Sequence, residues 1–391
     1  MDMFSFVTIK ENHRPDNFYI VLLLFQDQDT DEFRATLRMP PNVYFTLLQT
    51  LRSSLTKKFT NFRKPVSPET RLALTLRFLS LGDGFRSLSQ QFRVGLSTSR
   101  RIVMETCRAI TAVLGHEYLV TPSTRQEWID IALNYNRSWN FPHCIGSLDG
   151  KHIRIIQPRR SGTYFHNYKS FFSIVLLAIA SADYRFIYID IGAEGKSSDG
   201  GTWARSSFYE HLNSIDNPLN IPEPDYINGL QNQIPYFLVG DDAFPLSPNL
   251  LKPYPGYNLS LKQKVFNYRL SRSRRIIENT FGILSSRFRI FRQCIELNPN
   301  FVEEIVMAAC VLHNYLSVNA RTNYIPPGAV DIEMDDGTVI PGAWRQEETL
   351  SSISRCSQRN WSDYAKETRN NMAKYFISEQ GSVPWQYEHI A

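Results

Sequence analysis

Three apolar runs follow closely on one another: CIGSLDGKHIRI over residues 144–155, FFSIVLLAIASAD over 171–183 and FIYIDIG over 186–192. They read as strands because each is short, rich in Ile and Val, and bounded by turn-forming residues. A helical stretch, WARSSFYEHL (203–212), and a Pro-rich loop between Asn217 and Pro235 lead to a fourth run, YFLVGD (236–241). Strands in succession, then a helix, then another strand describe an α/β fold with a mixed sheet and helices packed against it.

Working outward, residues 265–292 read as one long helical stretch and Phe301–Leu316 as another, with Ile305, Ala308, Ala309 and Leu312 on one face. Beyond Ser317 the pattern loosens, and the acidic stretch DIEMDDG (331–337) suggests an exposed segment before a last helix over Asp363–Phe376. Upstream, residues 65–115 read as three helices, with Leu72, Leu76, Leu79, Ile102, Val103, Cys107 and Ile110 as the apolar positions and breaks at Gly82, Gly84 and Gly95. Within them, the segment 85–110 has a helix, a tight turn at Val94 and Gly95, and a second helix expected to start at Ser97 or Ser99 with Arg100 and Arg101 in its first turn. That is a helix-turn-helix-like layout, and equally that of a plain helical hairpin with solvated arginines. The expected division is a helical region over 1–135, a catalytic domain over 136–318 and a C-terminal extension over 319–391.

The 391 residues are 42% hydrophobic and 21% charged, which excludes disorder over most of the length. The net charge of +5 leans toward a polyanionic partner. Five scattered cysteines without a C-x-x-C pair fit a reducing compartment. The broken apolar pattern around Asp2, Lys10 and Glu11, and apolar runs such as Tyr19–Phe25 and Phe171–Ala182, are too short for a bilayer, so a soluble intracellular protein is expected.

Four acids carry the candidate chemistry. Asp149 and Asp241 each stand where an apolar run meets a turn, as strand-end carboxylates. Were those strands neighbours, two like charges would converge and recruit a divalent cation such as Mg²⁺. Taken alone, either fits a turn or helix cap. Glu278 is the single acid between Val265 and Arg292, among seven arginines (269, 272, 274, 275, 287, 289 and 292). It borders the apolar stripe Ile277, Phe281, Leu284 and Phe288, one turn after Arg274. An i, i+4 salt bridge explains it at small gain, on the order of 0.3 kcal/mol; a metal site flanked by phosphate-holding arginines explains it with the other acids. Asp199 sits in the Gly-rich SSDGGTW (197–203), where turn residues are common. His152, His166, Tyr168 and Lys169 lie close to the first acid, to hold a phosphate or to decorate a surface. No Walker loop, H-E-x-x-H or Ser/His/Asp pattern is present, which leaves metal-assisted chemistry on phosphodiesters.

The stretches 147–155, 168–203, 238–246 and 266–291 together resemble the PIF/Harbinger transposases and the Harbinger transposase-derived nucleases, a DDE superfamily. The resemblance implies an RNase H-like catalytic fold and a divalent-metal-dependent DNA endonuclease holding Mg²⁺ or Mn²⁺, as two ions, on Asp149, Asp199, Asp241 and Glu278. It places Asp241, rather than Asp199, beside Asp149. The candidates for nucleic-acid contact are Arg100, Arg101, Lys151, His152, Arg272, Arg274 and Arg275. It also implies DNA as a partner, a separate Myb-like DNA-binding protein, and a nuclear, or nuclear and cytoplasmic, location. The departure is Ala243 in GDDAF, where many relatives carry a glycine-aromatic pair. The competing reading is a domesticated DNA-binding or adaptor protein without cleavage.

Overall fold

The computed structural model describes residues 30–59, 65–334, 338–346, 350–352 and 361–388. The readings made on Asp2–Phe25, on Cys356 and on the end of the acidic stretch fall outside them. The chain divides into two compact units, Met1–Ala109 and Ile110–Ala391.

The first unit is helical: α1 Thr30–Leu37, α2 Pro41–Leu55, α3 Pro68–Leu81, α4 Phe85–Gln91 and the start of α5, Leu96–Tyr118. α3 begins where the Ser67 hydroxyl accepts from the Thr70 N–H, with Pro68 in the first turn, and stops at Gly82 in the left-handed region (φ 73°). The expected apolar positions Leu72, Leu76, Leu79, Ile102, Val103 and Cys107 are all buried. α5 starts at Leu96, slightly earlier than expected, so Arg100 and Arg101 lie in its second turn, both exposed.

The second unit holds the sheet. α6, Arg125–Trp139, is opened by a Thr124/Glu127 capping box and precedes β1, Cys144–Arg154. β2 is Ser173–Ala180 and β3 is Phe186–Glu194; then come α7, Asp199–Arg205, α8, Ser207–Leu212, β4, Phe237–Val239, and β5, Leu250–Leu251. Further along, beside short hairpins and single turns, lie α9, Leu261–Arg287, α10, Pro299–Asn319, β6, Ser351–Ser352, and α11, Asp363–Tyr375. The strand order is β3-β2-β1-β4-β5, with β1, β2 and β3 antiparallel, β4 parallel to both β1 and β5, and β6 antiparallel to β1. This is the mixed sheet flanked by helices. β2 is buried at every position and β1 at every position but Arg154, because helices cover both faces, so the strands carry continuous apolar runs rather than alternation. One face carries Trp128, Ile145, Leu148, Leu177, Ile179, Trp203 and Phe208 in a single cluster.

Three sequence expectations change. Asp149 is not at a strand end: β1 continues past it to Arg154, held by β2 throughout. DIEMDDG is exposed only in part where it is described: Ile332 and Met334 are exposed, while Asp331 is 4% exposed and the Glu333 side chain 6%. Finally, α10 is long and apolar enough to cross a membrane, unlike the runs considered from sequence, yet most of it is buried inside the protein. Val302, Ile305, Ala309, Leu312 and Leu316 belong to the core, and Asn314 ties it to β3 through the Phe186 N–H and C=O at 2.9 and 2.7 Å.

Candidate active site

β4 is short, and its length decides the site. It pairs with β1 only from Cys144↔Phe237 to Ser147↔Val239, while β6 meets β1 at Lys151 and His152. Between these partners β1 has an open edge, and Asp149 stands in it. Continuing the parallel register from Ser147↔Val239 by two residues sets Asp149 opposite Asp241, the residue after Gly240 at the end of β4. Burial raises the carboxyl of Asp241, and the charge of Asp149 raises it further, against Arg274 and the Ala243 N–H that donates to its Oδ1 at 2.8 Å. Asp242 turns away to Lys252, 3.4 Å off.

Asp199 occupies no loop: it is the first residue of α7, with Ser198 as N-cap accepting from Gly201 N–H. It is 1% exposed, and its Oδ1 has no hydrogen-bond partner. Burial first, then the negative charges of Asp149 and Asp241, push its carboxyl up to about 9. Three acids therefore sense one another across elements separated by 92 positions (241 − 149).

Glu278 joins through a guanidinium. Arg274 lies 3.6 Å from Glu278 and 4.0 Å from Asp241, so one side chain spans from α9 to the end of β4. The second partner of Glu278 is Arg345, at 3.3 Å, whose other contacts are with buried Asp331 at 2.6 and 2.8 Å. Asp149 has its own cation: Lys151 Nζ lies 2.8 Å from Oδ2 and also donates to Ser352 Oγ at 2.8 Å. Among the described residues, no three His, Cys, Asp or Glu side chains stand as a ready ligand set for a metal. Internal ammonium and guanidinium groups instead neutralise Asp149, Asp241 and Glu278, and Asp199 is left with a bare oxygen. The donor set fits a divalent cation, being all carboxylate oxygen with one orphaned buried oxygen, and with Asp199 and Asp241 raised by burial and then by neighbouring negative charge.

The other named residues separate. Arg272 and Arg275 both bind Glu333, at 2.6 and 3.0 Å, rather than facing solvent. His152 is 2% exposed, its Nδ1 is 2.9 Å from Ser173 Oγ, and burial with nearby Lys169 and Lys151 lowers its pKa to about 4. Tyr168 hydrogen-bonds to Ser352 C=O at 3.0 Å, and Lys169 sits 5.6 Å from the Tyr168 ring. His166 bridges to Phe172 in the adjoining turn. Of the seven arginines near Glu278, Arg269 is buried against Gln386, Arg287 donates to Tyr324 C=O and Arg292 to Ser285 C=O. Sequence reasoning missed Asp331, Glu333 and Arg345. The signal was there in the charge imbalance of α9, which needs acids from elsewhere, and in the acidic stretch that supplies them.

Residues 148–314 match the DDE superfamily endonuclease family, a span that holds all four acids. The chain is 26% identical over 301 residues to Protein ALP1-like of Arabidopsis thaliana, covering 74% of this chain and 71% of that one. It is 22% identical over 298 residues to a HARBI1 protein of Mus musculus whose name carries the word nuclease, covering 74% and 78%. Over this span the chain is similar to the Harbinger-derived DDE endonucleases. A third relative, Antagonist of Like Heterochromatin Protein 1 of Arabidopsis thaliana, is 25% identical over 258 residues, covering 64% of this chain and 63% of its own length. No solved structure matches the chain.

Proposed function

We propose that this protein is a member of that family and cuts DNA phosphodiester bonds with divalent ions held by Asp149, Asp241 and Glu278, Asp199 assisting. What carries the reading is the open edge of β1, where two parallel strands bring Asp149 and Asp241 together beside the unpartnered oxygen of buried Asp199. The strand order, antiparallel through β3-β2-β1 and then parallel to β4 and β5, supports an RNase H-like scaffold for it. Mg²⁺ or Mn²⁺, one ion or two, would supply an activated nucleophile and stabilise the leaving oxygen. The chain's own contribution is positional: β1, β4, α7 and α9 hold the carboxylates, Lys151 moves from Asp149 toward Ser352 Oγ, already in contact, and Arg274 turns to a phosphate oxygen. Exposed Arg100 and Arg101 at the head of α5 would contact DNA as a helix-turn-helix does. A nuclear location and a Myb-like partner remain proposals that rest on the family alone.

One observation favours a second reading, a DNA-binding or adaptor protein without cleavage: Lys151 and Arg345 already satisfy two of the carboxylates. The purified full chain, titrated with Mg²⁺ or Mn²⁺ against supercoiled DNA, decides. Metal-dependent nicking that Asp149→Asn and Glu278→Gln each abolish, with Kd for DNA unchanged, supports the nuclease. Nicking that survives either substitution removes these ligands, and salt-sensitive binding without nicking in any divalent ion selects the adaptor.

A further inference from the structure

Three residues beyond Asp149, at the end of β1, lies a cavity of about 250 Å³ that the cleavage reading does not use. Its lining includes His152, Arg154, Phe171, Phe291, Arg292 and Leu350, two cations and three apolar side chains with no acid. Arg154 is exposed, and its guanidinium lies 5.1 Å from the centre of the Phe171 ring. His152 is buried, and its Nε2 has no hydrogen-bond partner. Ser173 Oγ accepts from Asn167 Nδ2 at 2.9 Å and stands 2.9 Å from His152 Nδ1, a pair that either tautomer of the ring satisfies. In both, Nε2 is left as a buried polar atom without a partner, a costly state unless a ligand completes it.

We propose that this cavity receives one unpaired nucleobase of the DNA strand being processed. The two phenyl rings, the planar guanidinium of Arg154 stacked beside them and the unpartnered ring nitrogen of His152 suit a flat heterocycle with polar edge groups. A bare phosphate has no use for Phe171, Phe291 and Leu350. A base still paired in a duplex keeps its faces stacked and offers only its edge to a groove, so the occupant that lies against these rings is an extruded or single-stranded nucleotide.

The inference rests on the DNA reading above, and its test separates the two. Anisotropy of a labelled single-stranded deoxyoligonucleotide is compared with that of an abasic strand of equal length, in EDTA, on the full chain. The base-bearing strand binds more tightly; Phe171→Ala and Arg154→Gln each weaken it by roughly 5- to 100-fold and leave the abasic strand unchanged. Arg154 is exposed, so its variant decides should Phe171→Ala not fold. Variants that bind both strands as the native chain does, or that lose both equally, overturn the base pocket while DNA binding stands. Competition by inorganic phosphate that equalises the two strands reduces the cavity to an anion site and also overturns it. A native chain that binds neither strand brings down the DNA reading itself.

Discussion

Asp199 is the most perturbed carboxyl of the site, and the perturbation has a sign. Its pKa stands near 9 in the folded protein against an ordinary 3.8, so between those values the folded chain keeps a proton that the unfolded chain has lost. Stability from this group is therefore full below about pH 4 and is lost as pH rises toward 9. Asp199→Asn copies the protonated form. In EDTA at pH 7.5 it raises Tm by several degrees and flattens the fall of Tm from pH 5 to 8, and an unchanged slope in a differential scan would sink the assignment. Lys151 makes the opposite case. Removing its ammonium leaves Asp149, 2% exposed, without its cation, a loss of roughly 3–5 kcal/mol where a buried pair is broken. Lys151→Met thus lowers Tm in EDTA, and added Mn²⁺ restores it, giving a larger metal-induced rise than in the native chain. Equal rises in the two proteins would show that the metal does not replace Lys151 at Asp149.

At the level of elements, α9 is built to receive the segment that follows α10. Gly282 lies in mid-helix, where glycine costs about 1 kcal/mol relative to alanine, and the reason is Trp344. A Cβ at Gly282 would sit 2.3 Å from the indole Cδ2, while the indole Nε1 donates to Asn279 Oδ1 at 2.8 Å. Gly282→Ala accordingly destabilises by roughly 1–3 kcal/mol despite its helix propensity, and frees Trp344, read as lower Tm and red-shifted tryptophan emission. A more stable variant would show that the indole yields without cost. Arg345 sits next to that indole, so the same change is expected to loosen the grip on Glu278. Much of this scale was legible in the sequence: β1, β2, β3 and α9 follow from apolar period and turn residues, which are local. The strand end assigned to Asp149 was not, because where β1 loses its neighbour depends on the length of β4, some ninety positions downstream. The partners of Arg272, Arg275 and Arg345 were hidden for the same reason, since ion pairs between residues 58 to 67 positions apart follow no period.

For the molecule as a whole, the sum of charges misleads and their commitments decide. A net charge of +5 with seven arginines near Glu278 suggests a broad phosphate-binding face. The structure ties Arg269, Arg272, Arg275, Arg287 and Arg292 to carboxylates, carbonyls or a side-chain amide, so these cations serve folding. Arg100 and Arg101 are exposed, and neither has a carboxylate within salt-bridge distance among the described residues. Affinity for DNA should therefore separate from stability along this line. The double substitution Arg100→Ala/Arg101→Ala leaves Tm unchanged and reduces the slope of log K against log salt by about two, one for each phosphate that an arginine no longer neutralises. Arg272→Ala does the reverse: it leaves the buried Glu333 carboxylate with Arg275 as its remaining cation and lowers stability by roughly 1–3 kcal/mol, while the salt slope of the remaining folded protein holds. Filter binding across a salt series, beside thermal melts of the same samples, reads both quantities. A salt slope that falls for Arg272→Ala and not for the α5 pair would return the phosphate-binding role to α9.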